Sequence, residues 1–151
     1  MASDINSVSV KAPVHLWIVG ILALLWNLIG VVDYVMSRSR NDEYFRAVMP
    51  SLDPAVIYAY IDRMPLLVAA GWGLGVWGAL VGTLLLLARS RHAVLAYLVS
   101  LVGALVSFGF QFTVNPPPAG MEEPVMPIVI TLIALALLLY ARAMKAKGVL
   151  R

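Results

Sequence analysis

The stretch that decides the fold is residues 66–88, LLVAAGWGLGVWGALVGTLLLLA, which contains no Asp, Glu, Lys or Arg. A hydrocarbon core about 30 Å thick is crossed by a helix of roughly 20 apolar residues. Three other uncharged runs meet or approach this length, at residues 14–32, 93–121 and 125–141. The sequence therefore predicts an integral membrane protein with four transmembrane helices. These helices are expected at about residues 14–36, 66–88, 93–114 and 125–144.

The composition favours one compact membrane domain. Of 151 residues, 62% are hydrophobic and 13% are charged, and the mean hydropathy is +0.90. A typical soluble domain has about 25% charged residues. Four spans joined by loops predict an all-α fold, an antiparallel four-helix bundle that occupies residues 1–151. The absence of cysteine excludes disulfides, thiolate metal sites and cysteine nucleophiles.

The segments outside the spans differ in character. Residues 1–12 are small and polar and predict a tail, and the first span lacks a signal-peptide cleavage site, so we expect it to be retained. In the loop of residues 37–65, Asp53 and Pro54 suit the N-cap and the first position of a helix. We therefore predict one or two short surface helices in this loop. The loop either covers the end of the bundle or acts as a gate or docking surface for a partner.

Lys and Arg are unevenly divided between the two sides of the predicted membrane. Seven lie on the side that holds both termini and the loop between the second and third spans. Four lie on the other side, in the loop of residues 37–65. Because cytoplasmic loops carry an excess of Lys and Arg, both termini are predicted to be cytoplasmic. The net charge of +3 therefore does not indicate nucleic-acid binding. Five basic residues are expected to contact anionic lipid headgroups: Arg89, Arg91, Arg142, Lys145 and Lys147.

The second span carries a stripe of four glycines. They are three or four residues apart and therefore lie on one face of a helix. Small residues at this spacing allow helix backbones to approach closely in lipid. The third span has a stripe of small and polar residues at similar spacing, and the two stripes are predicted to face each other or the first span, with a homo-oligomer contact as the alternative. The stripes are Gly71, Gly75, Gly78 and Gly82 in the second span and Ser100, Gly103, Ser107 and Gln111 in the third.

Asp33 is the residue of the first span that is least compatible with lipid. An Asp costs about 2.5–3.5 kcal/mol at the centre of a transmembrane helix, and less near the interface, where Asp33 is predicted to lie. One interpretation pairs its carboxylate with Arg38, Arg40 or Arg63, or has it accept a hydrogen bond from a tyrosine. The other interpretation places it in a polar cavity, where it would bind a cation, a proton or a substrate hydroxyl.

Other polar residues define a candidate path for a solute. Asn27 and Tyr34 share one face of the first span, and Asn27 either makes a hydrogen bond between helices or faces a solute. No Ser-His-Asp set, phosphate loop or paired-carboxylate site is visible, and neither histidine has a neighbour at ligand spacing. We therefore predict no enzyme, no cofactor and no metal site. The candidate solute-facing residues are Asn27, Asp33, Tyr34, Ser107 and Gln111.

Several motifs carry a resemblance to a known family. They are residues 26–34 (WNLIGVVDY), the glycines and basic end of the second span, and Met126-Pro127-Ile128 leading through the fourth span to its basic end. The chain resembles a family of small four-span bacterial membrane proteins whose members are often labelled sugar transporters. The resemblance covers most of the chain from residue 14 onward. It implies a four-helix bundle in the bacterial inner membrane and supplies no binding residues.

Three functions are compatible with these features. The favoured hypothesis is a non-enzymatic accessory protein that lies in the lipid bilayer and packs against a membrane-protein partner through its glycine face and outer loop. The alternative is a transporter of small solutes, with sugar implied by the resemblance. It would work as a homo-oligomer, because transporters usually have more spans and internal repeats. A membrane enzyme that acts on lipid is the third hypothesis.

Overall fold

The computed structural model describes residues 10–151, so residues 1–9 of the predicted tail lie outside the described residues. The described chain is helical, and four of its helices are long and apolar enough to cross a membrane. This confirms the predicted all-α fold class and makes the protein a multi-pass membrane protein. The helices are α1 (Val14–Arg38), α2 (Asp42–Val48), α3 (Pro54–Asp62), α4 (Leu66–Leu87), α5 (Ala93–Thr113) and α6 (Val125–Ala146).

The short helices α2 and α3 lie in the loop between α1 and α4, and the local sequence caps each of them. The Asn41 side chain accepts a hydrogen bond from the backbone N–H of Tyr44 (2.8 Å). The Asp53 carboxylate accepts one from the backbone N–H of Ala55 (2.9 Å). These side chains satisfy amide groups that the first turn of a helix leaves without partners, so both helices begin at sequence-encoded positions.

The ends of two long helices differ slightly from the prediction. α1 continues past Met36 to Arg38, and α6 continues past Met144 to Ala146. In each case the chain adopts a left-handed backbone conformation only two residues after the helix ends, at Arg40 (φ 54°) and Gly148 (φ 69°). Helices commonly end beside a residue in this conformation, which accounts for the two extensions.

The four long helices pack in the order α1–α4–α5–α6, with the most extensive contact between α4 and α5. Neighbours run antiparallel: Gly20 of α1 lies against Leu87 at the end of α4, and Tyr34 lies against Gly73 near its start. We call the end of the bundle that holds the α4–α5 turn and the C-terminal residues the terminal end. The opposite end, which holds α2, α3 and the α5–α6 loop, is the cap end.

Most apolar side chains of the spans point away from the protein interior. In the apolar window of each span, no more than 28% of the residues are buried inside the protein. Large aliphatic residues such as Leu22 (62% exposed) and Ile29 (67% exposed) form this outer surface. A soluble protein would bury such residues, whereas lipid chains solvate them. The bundle surface is therefore built to contact hydrocarbon.

The apolar core lies at the terminal end and includes the last residues of the chain. After α6, Gly148 turns the backbone so that Val149 and Leu150 insert into the core, where they are 3% and 4% exposed. The backbone of Arg151 donates to the carbonyl of Arg89 (2.8 Å) and accepts from the N–H of Arg91 (2.9 Å). The C-terminal residues thus close the terminal end against the α4–α5 turn.

Candidate functional site

Polar side chains in the bundle interior form a network across three helices. Asn27 of α1 donates from Nδ2 to Thr83 Oγ1 (2.8 Å) and to the carbonyl of Ala79 (3.1 Å), both on α4. Thr83 Oγ1 also lies 2.8 Å from the Tyr97 hydroxyl of α5. Ser100, on α5, donates to the carbonyl of Gly75 (2.6 Å). These groups satisfy one another, as polar groups in lipid must.

The sequence pattern indicates Asn27, but it identifies neither Thr83, which bonds to Asn27, nor Tyr97, which bonds to Thr83. Thr83 is fully buried and Tyr97 is 1% exposed, although both stand in runs of apolar residues with no local sign of a polar contact. One sequence feature links Thr83 to a contact between helices: it directly follows Gly82, the last glycine of the stripe. Asn27 therefore takes the first of its two predicted roles, a hydrogen bond between helices.

The glycine stripe of α4 faces α5 along its whole length. A methyl group added at Gly78 would lie 3.1 Å from the backbone nitrogen of Ser100, and one at Gly82 would lie 2.8 Å from the Tyr97 ring. At Gly75 the nearest atom would be the backbone nitrogen of Ala104, at 3.4 Å. We call this contact the α4–α5 seam. Because the stripe is covered by α5, it is not an exposed surface for another protein.

The seam is closest where α4 and α5 meet near the cap end. A methyl group at Gly103 would clash with the carbonyl oxygen of Gly71 and would lie 2.7 Å from the backbone nitrogen of Gly75. Close backbone approach of this kind is what small residues provide in membrane helices. The two predicted stripes therefore meet at Gly103. Ser107 lies one turn further along α5 and is also buried.

Asp33 and Tyr34 are neighbours in sequence but contact different elements. Asp33 is exposed on α1 and accepts a hydrogen bond from the Tyr44 hydroxyl of α2 (2.9 Å). The Tyr34 ring packs edge-on against Trp72 and Trp77 of α4, with centroid distances of 4.8 and 6.3 Å. Of the partners considered for Asp33, the structure selects a tyrosine, and Tyr34 helps to hold α1 on α4.

The five predicted solute-facing residues do not form one connected group. Asn27 is bonded inside the bundle, Asp33 lies on its surface, and Tyr34 packs in an aromatic cluster. Within the described residues, no hydrogen bond joins Ser107 or Gln111 to any of these three. The polar residues of the spans are therefore distributed among separate structural contacts.

Residues 39–65, which we call the cap, pack around a buried aromatic residue. Phe45 is 3% exposed and lies between the rings of Tyr44 and Tyr58, with centroid distances of 5.4 and 5.7 Å. The Tyr58 hydroxyl donates to Asp42 (2.7 Å), which joins α3 to the start of α2. Aromatic edge contacts of this kind stabilise a small cluster beyond the area that they bury. The cap is therefore a folded unit.

The cap is also tied to the rest of the bundle at two more places. The Tyr60 hydroxyl donates to the carbonyl of Asn115 (3.1 Å), in the loop between α5 and α6. Leu52 lies against Gly120 of the same loop. A methyl group added at Gly120 would lie 3.2 Å from the Leu52 side chain. Together with the Asp33–Tyr44 hydrogen bond, these contacts place the cap across the end of the bundle.

Four charged residues on the exposed side of the cap form two ion pairs. Arg40 binds both carboxylate oxygens of Asp62 (2.8 and 2.9 Å), and its guanidinium lies 5.4 Å from the centre of the Tyr58 ring. Arg46 lies 3.5 Å from Asp42 on α2. These pairs are exposed to solvent, where ion pairs contribute little to stability. They give the cap a surface of alternating charge.

Two tyrosines that brace the cap stay protonated at neutral pH. Burial raises the pKa of Tyr44 to about 12, with further contributions from its hydrogen bond to Asp33 and from the negative charge of that residue. Burial and the nearby Asp42 raise the pKa of Tyr58 as well, against the opposing effect of Arg40 and Arg46. Both hydroxyls therefore remain donors over the physiological range.

At the terminal end, Arg89 differs from the other basic residues. Its guanidinium donates to the carbonyls of Val10 (2.6 Å) and Val149 (3.2 Å). It thereby holds segments from both ends of the described chain, and these donors contact the protein instead of the predicted lipid headgroups. The other four basic residues that are predicted to contact headgroups are exposed at or near this end: Arg91, Arg142, Lys145 and Lys147.

Residues 10–151 contain no group of three or more His, Asp or Glu side chains that could hold a metal ion. No protein-family model, curated protein or solved structure matches the chain.

Proposed function

We propose that this protein is a non-enzymatic accessory protein of a bacterial inner membrane, and that its cap contacts another membrane component. The observation that carries the proposal is the contrast between the two sets of polar groups. Those inside the bundle are bonded to one another, as in the chain from Asn27 to Tyr97. The charged groups of the cap are exposed on a folded scaffold, where four of them form two ion pairs. Such a surface suits recognition by a partner.

The proposed orientation places the cap outside and both termini in the cytoplasm. Its support is the excess of Lys and Arg at the terminal end, seven against four. The chain has no cysteine, so single cysteines can be introduced without background. Ala47→Cys, in the cap, should react with a membrane-impermeant maleimide added to intact spheroplasts. Ala146→Cys, at the end of α6, should react only after lysis, and the reverse pattern would refute this orientation.

Photocrosslinking in intact cells tests the accessory function. A photoreactive p-benzoylphenylalanine at position 47, on the exposed side of α2, should give a discrete crosslinked product. The matched control is the same residue at position 22, on the lipid-facing side of α1, where Leu22 is 62% exposed. A product of similar intensity at position 22, or none at position 47, would contradict the proposal that the cap is the contact surface.

Small-solute transport by an oligomer is the second candidate, and one observation favours it. Asp33 is an exposed carboxylate on a transmembrane helix, and such residues often mark ion or substrate pathways. Purified protein in vesicles should then take up a small polar solute such as a sugar, and Asp33→Asn should abolish uptake without unfolding the protein. Uptake that depends on Asp33 would displace the accessory function, whereas no uptake by either protein would remove support for transport.

A further inference from the structure

A small polar pocket lies where α1 ends beside the end of α3. Its volume is about 100 Å³, and its wall is made almost wholly of polar atoms, although the apolar part of α1 ends directly beneath it. A water molecule occupies about 30 Å³ in the liquid, so the pocket has room for roughly three waters or one small ionic group. The residues that line it are Ser37, Arg38, Arg40, Tyr58, Ile61 and Asp62.

Hydrogen-bond donors in this pocket exceed the acceptors that the protein supplies. Arg40 contacts both oxygens of Asp62 through Nη2 alone, so Nε and Nη1 make no hydrogen bond to the described residues. The Arg38 side chain makes no ion pair or hydrogen bond within residues 10–151. Ser37 is only 5% exposed, and its hydroxyl also has no partner in the described part of the chain.

We infer that this pocket binds the phosphate group of a phospholipid headgroup. Two arginines against one aspartate leave an excess positive charge, and the planar guanidinium group matches phosphate oxygens better than any other side chain. The Ser37 hydroxyl adds a neutral donor in a buried position. The pocket volume suits a phosphate group and is too small for a sugar ring with its hydration.

The position of the pocket favours a lipid as the source of the phosphate. Arg38 is the last residue of α1, and Leu66 and Leu67, which begin α4 at the same end of the bundle, are 86% and 73% exposed. Exposed leucines mark the edge of the hydrocarbon, and arginines at helix ends reach to the headgroups. A phospholipid beside α1 would therefore present its phosphate at this level. The inference does not depend on the proposed accessory function.

Calorimetric titration of the purified full chain in detergent tests the site. The probes are dihexanoyl phosphatidylglycerol, which carries a phosphate diester, and inorganic phosphate. Arg38→Gln should weaken binding of the short-chain lipid about tenfold or more, the effect of losing a hydrogen bond to a charged group. The matched control is Arg46→Gln, which removes the same charge from α2 outside the pocket and should change binding less than about twofold.

Two further variants keep the test decisive if Arg38→Gln perturbs the end of α1. Ser37→Ala removes only a hydroxyl and should weaken binding about fivefold, the usual effect of one neutral hydrogen bond. Asp62→Asn frees Arg40 and should strengthen binding, whereas the charge-matched Glu43→Gln should not. Circular dichroism checks that each variant keeps its helix content.

Each outcome distinguishes the site from general surface charge. Equal losses for Arg38→Gln and Arg46→Gln, or no loss for Ser37→Ala, would overturn the inference. Binding of inorganic phosphate as tight as that of the lipid would support a phosphate site but assign it to free phosphate. Binding of the lipid alone, lost in the pocket variants, would support the headgroup as the ligand.

Discussion

The α4–α5 seam and the cap are held together by different kinds of contact. In the seam, backbone meets backbone, and a methyl group on Gly103 would clash with the Gly71 carbonyl. In the cap, the Arg40–Asp62 ion pair leaves both side chains more than half exposed, at 57% and 55%. When an exposed ion pair breaks, water solvates both charges at little cost in free energy. When two closely packed helices separate, their backbone contacts are lost without replacement. The seam is therefore the tightly packed part of the molecule, and the exposed side of the cap is held by contacts that water can replace.

The largest effect should come from filling the seam. Gly103→Val places a branched side chain against the backbone of α4, which cannot move without separating the helices, and should destabilise the bundle by about 3 kcal/mol. Unfolding in mixed micelles titrated with sodium dodecyl sulfate, followed by circular dichroism, measures the loss. Gly109→Val is the matched control on the same helix, because no atom lies within 4 Å of the added methyl position. Equal losses for the two variants would show that the seam is not tightly packed.

A smaller effect is expected from the polar network beside the seam. Thr83→Val keeps the shape of the side chain but removes the hydroxyl that joins Asn27 to Tyr97. Hydrogen bonds between membrane helices contribute on the order of 1 kcal/mol, so the same unfolding titration should show a loss of about this size. Thr113→Val serves as control, since that hydroxyl bonds only to the Gly109 carbonyl of its own helix (2.6 Å). A loss no greater than that of the control would mean that the network does not join the helices energetically.

The smallest effect is expected in the cap, and it should depend on pH. Tyr44 has a pKa of about 12 in the folded cap, above the ordinary value of 10.0. The folded state therefore holds this proton more tightly, so its contribution is complete below pH 10 and is lost as the pH rises towards 12. A spin label on Ala47→Cys should become more mobile over this range. When Tyr44→Phe is added, the label should already be more mobile at pH 8, and its mobility should change less between pH 10 and pH 12. The helix content should stay constant. A label that responds identically in both proteins would show that Tyr44 does not hold the cap.

Much of the fold could be predicted because lipid imposes simple rules on sequence. The uncharged run of residues 66–88 is long enough for one crossing, and α4 occupies residues 66–87. The Asp53-Pro54 pair marks the start of α3 for an equally local reason, since the carboxylate accepts from the backbone N–H of Ala55. Length, periodicity and capping depend only on residues close in sequence, so the chain itself reveals them.

The contacts of the candidate site were harder to predict from the sequence, because they join residues that lie far apart along the chain. Asp33 had several arginines and tyrosines within reach in the sequence, and its partner is Tyr44, eleven residues away on another helix. Thr83 and Tyr97 showed no local sign of their contact. Arg89 resembled any other basic residue at a helix end, yet it binds the carbonyls of Val10 and Val149. The spacing of residues along the sequence does not determine which of the possible hydrogen-bond partners each side chain contacts.

The sequence by itself determined that four apolar helices form, approximately where each begins and ends, and that α4 has a face without side chains. These properties follow from hydrophobic length and helical periodicity, which act within one segment. Only the tertiary structure decided that this face is covered by α5, that the cap closes one end of the bundle through tyrosine hydrogen bonds, and that Ser37, Arg38 and Arg40 share a pocket. Those outcomes depend on how helices pack and cross, and helix packing brings together residues that the sequence keeps far apart.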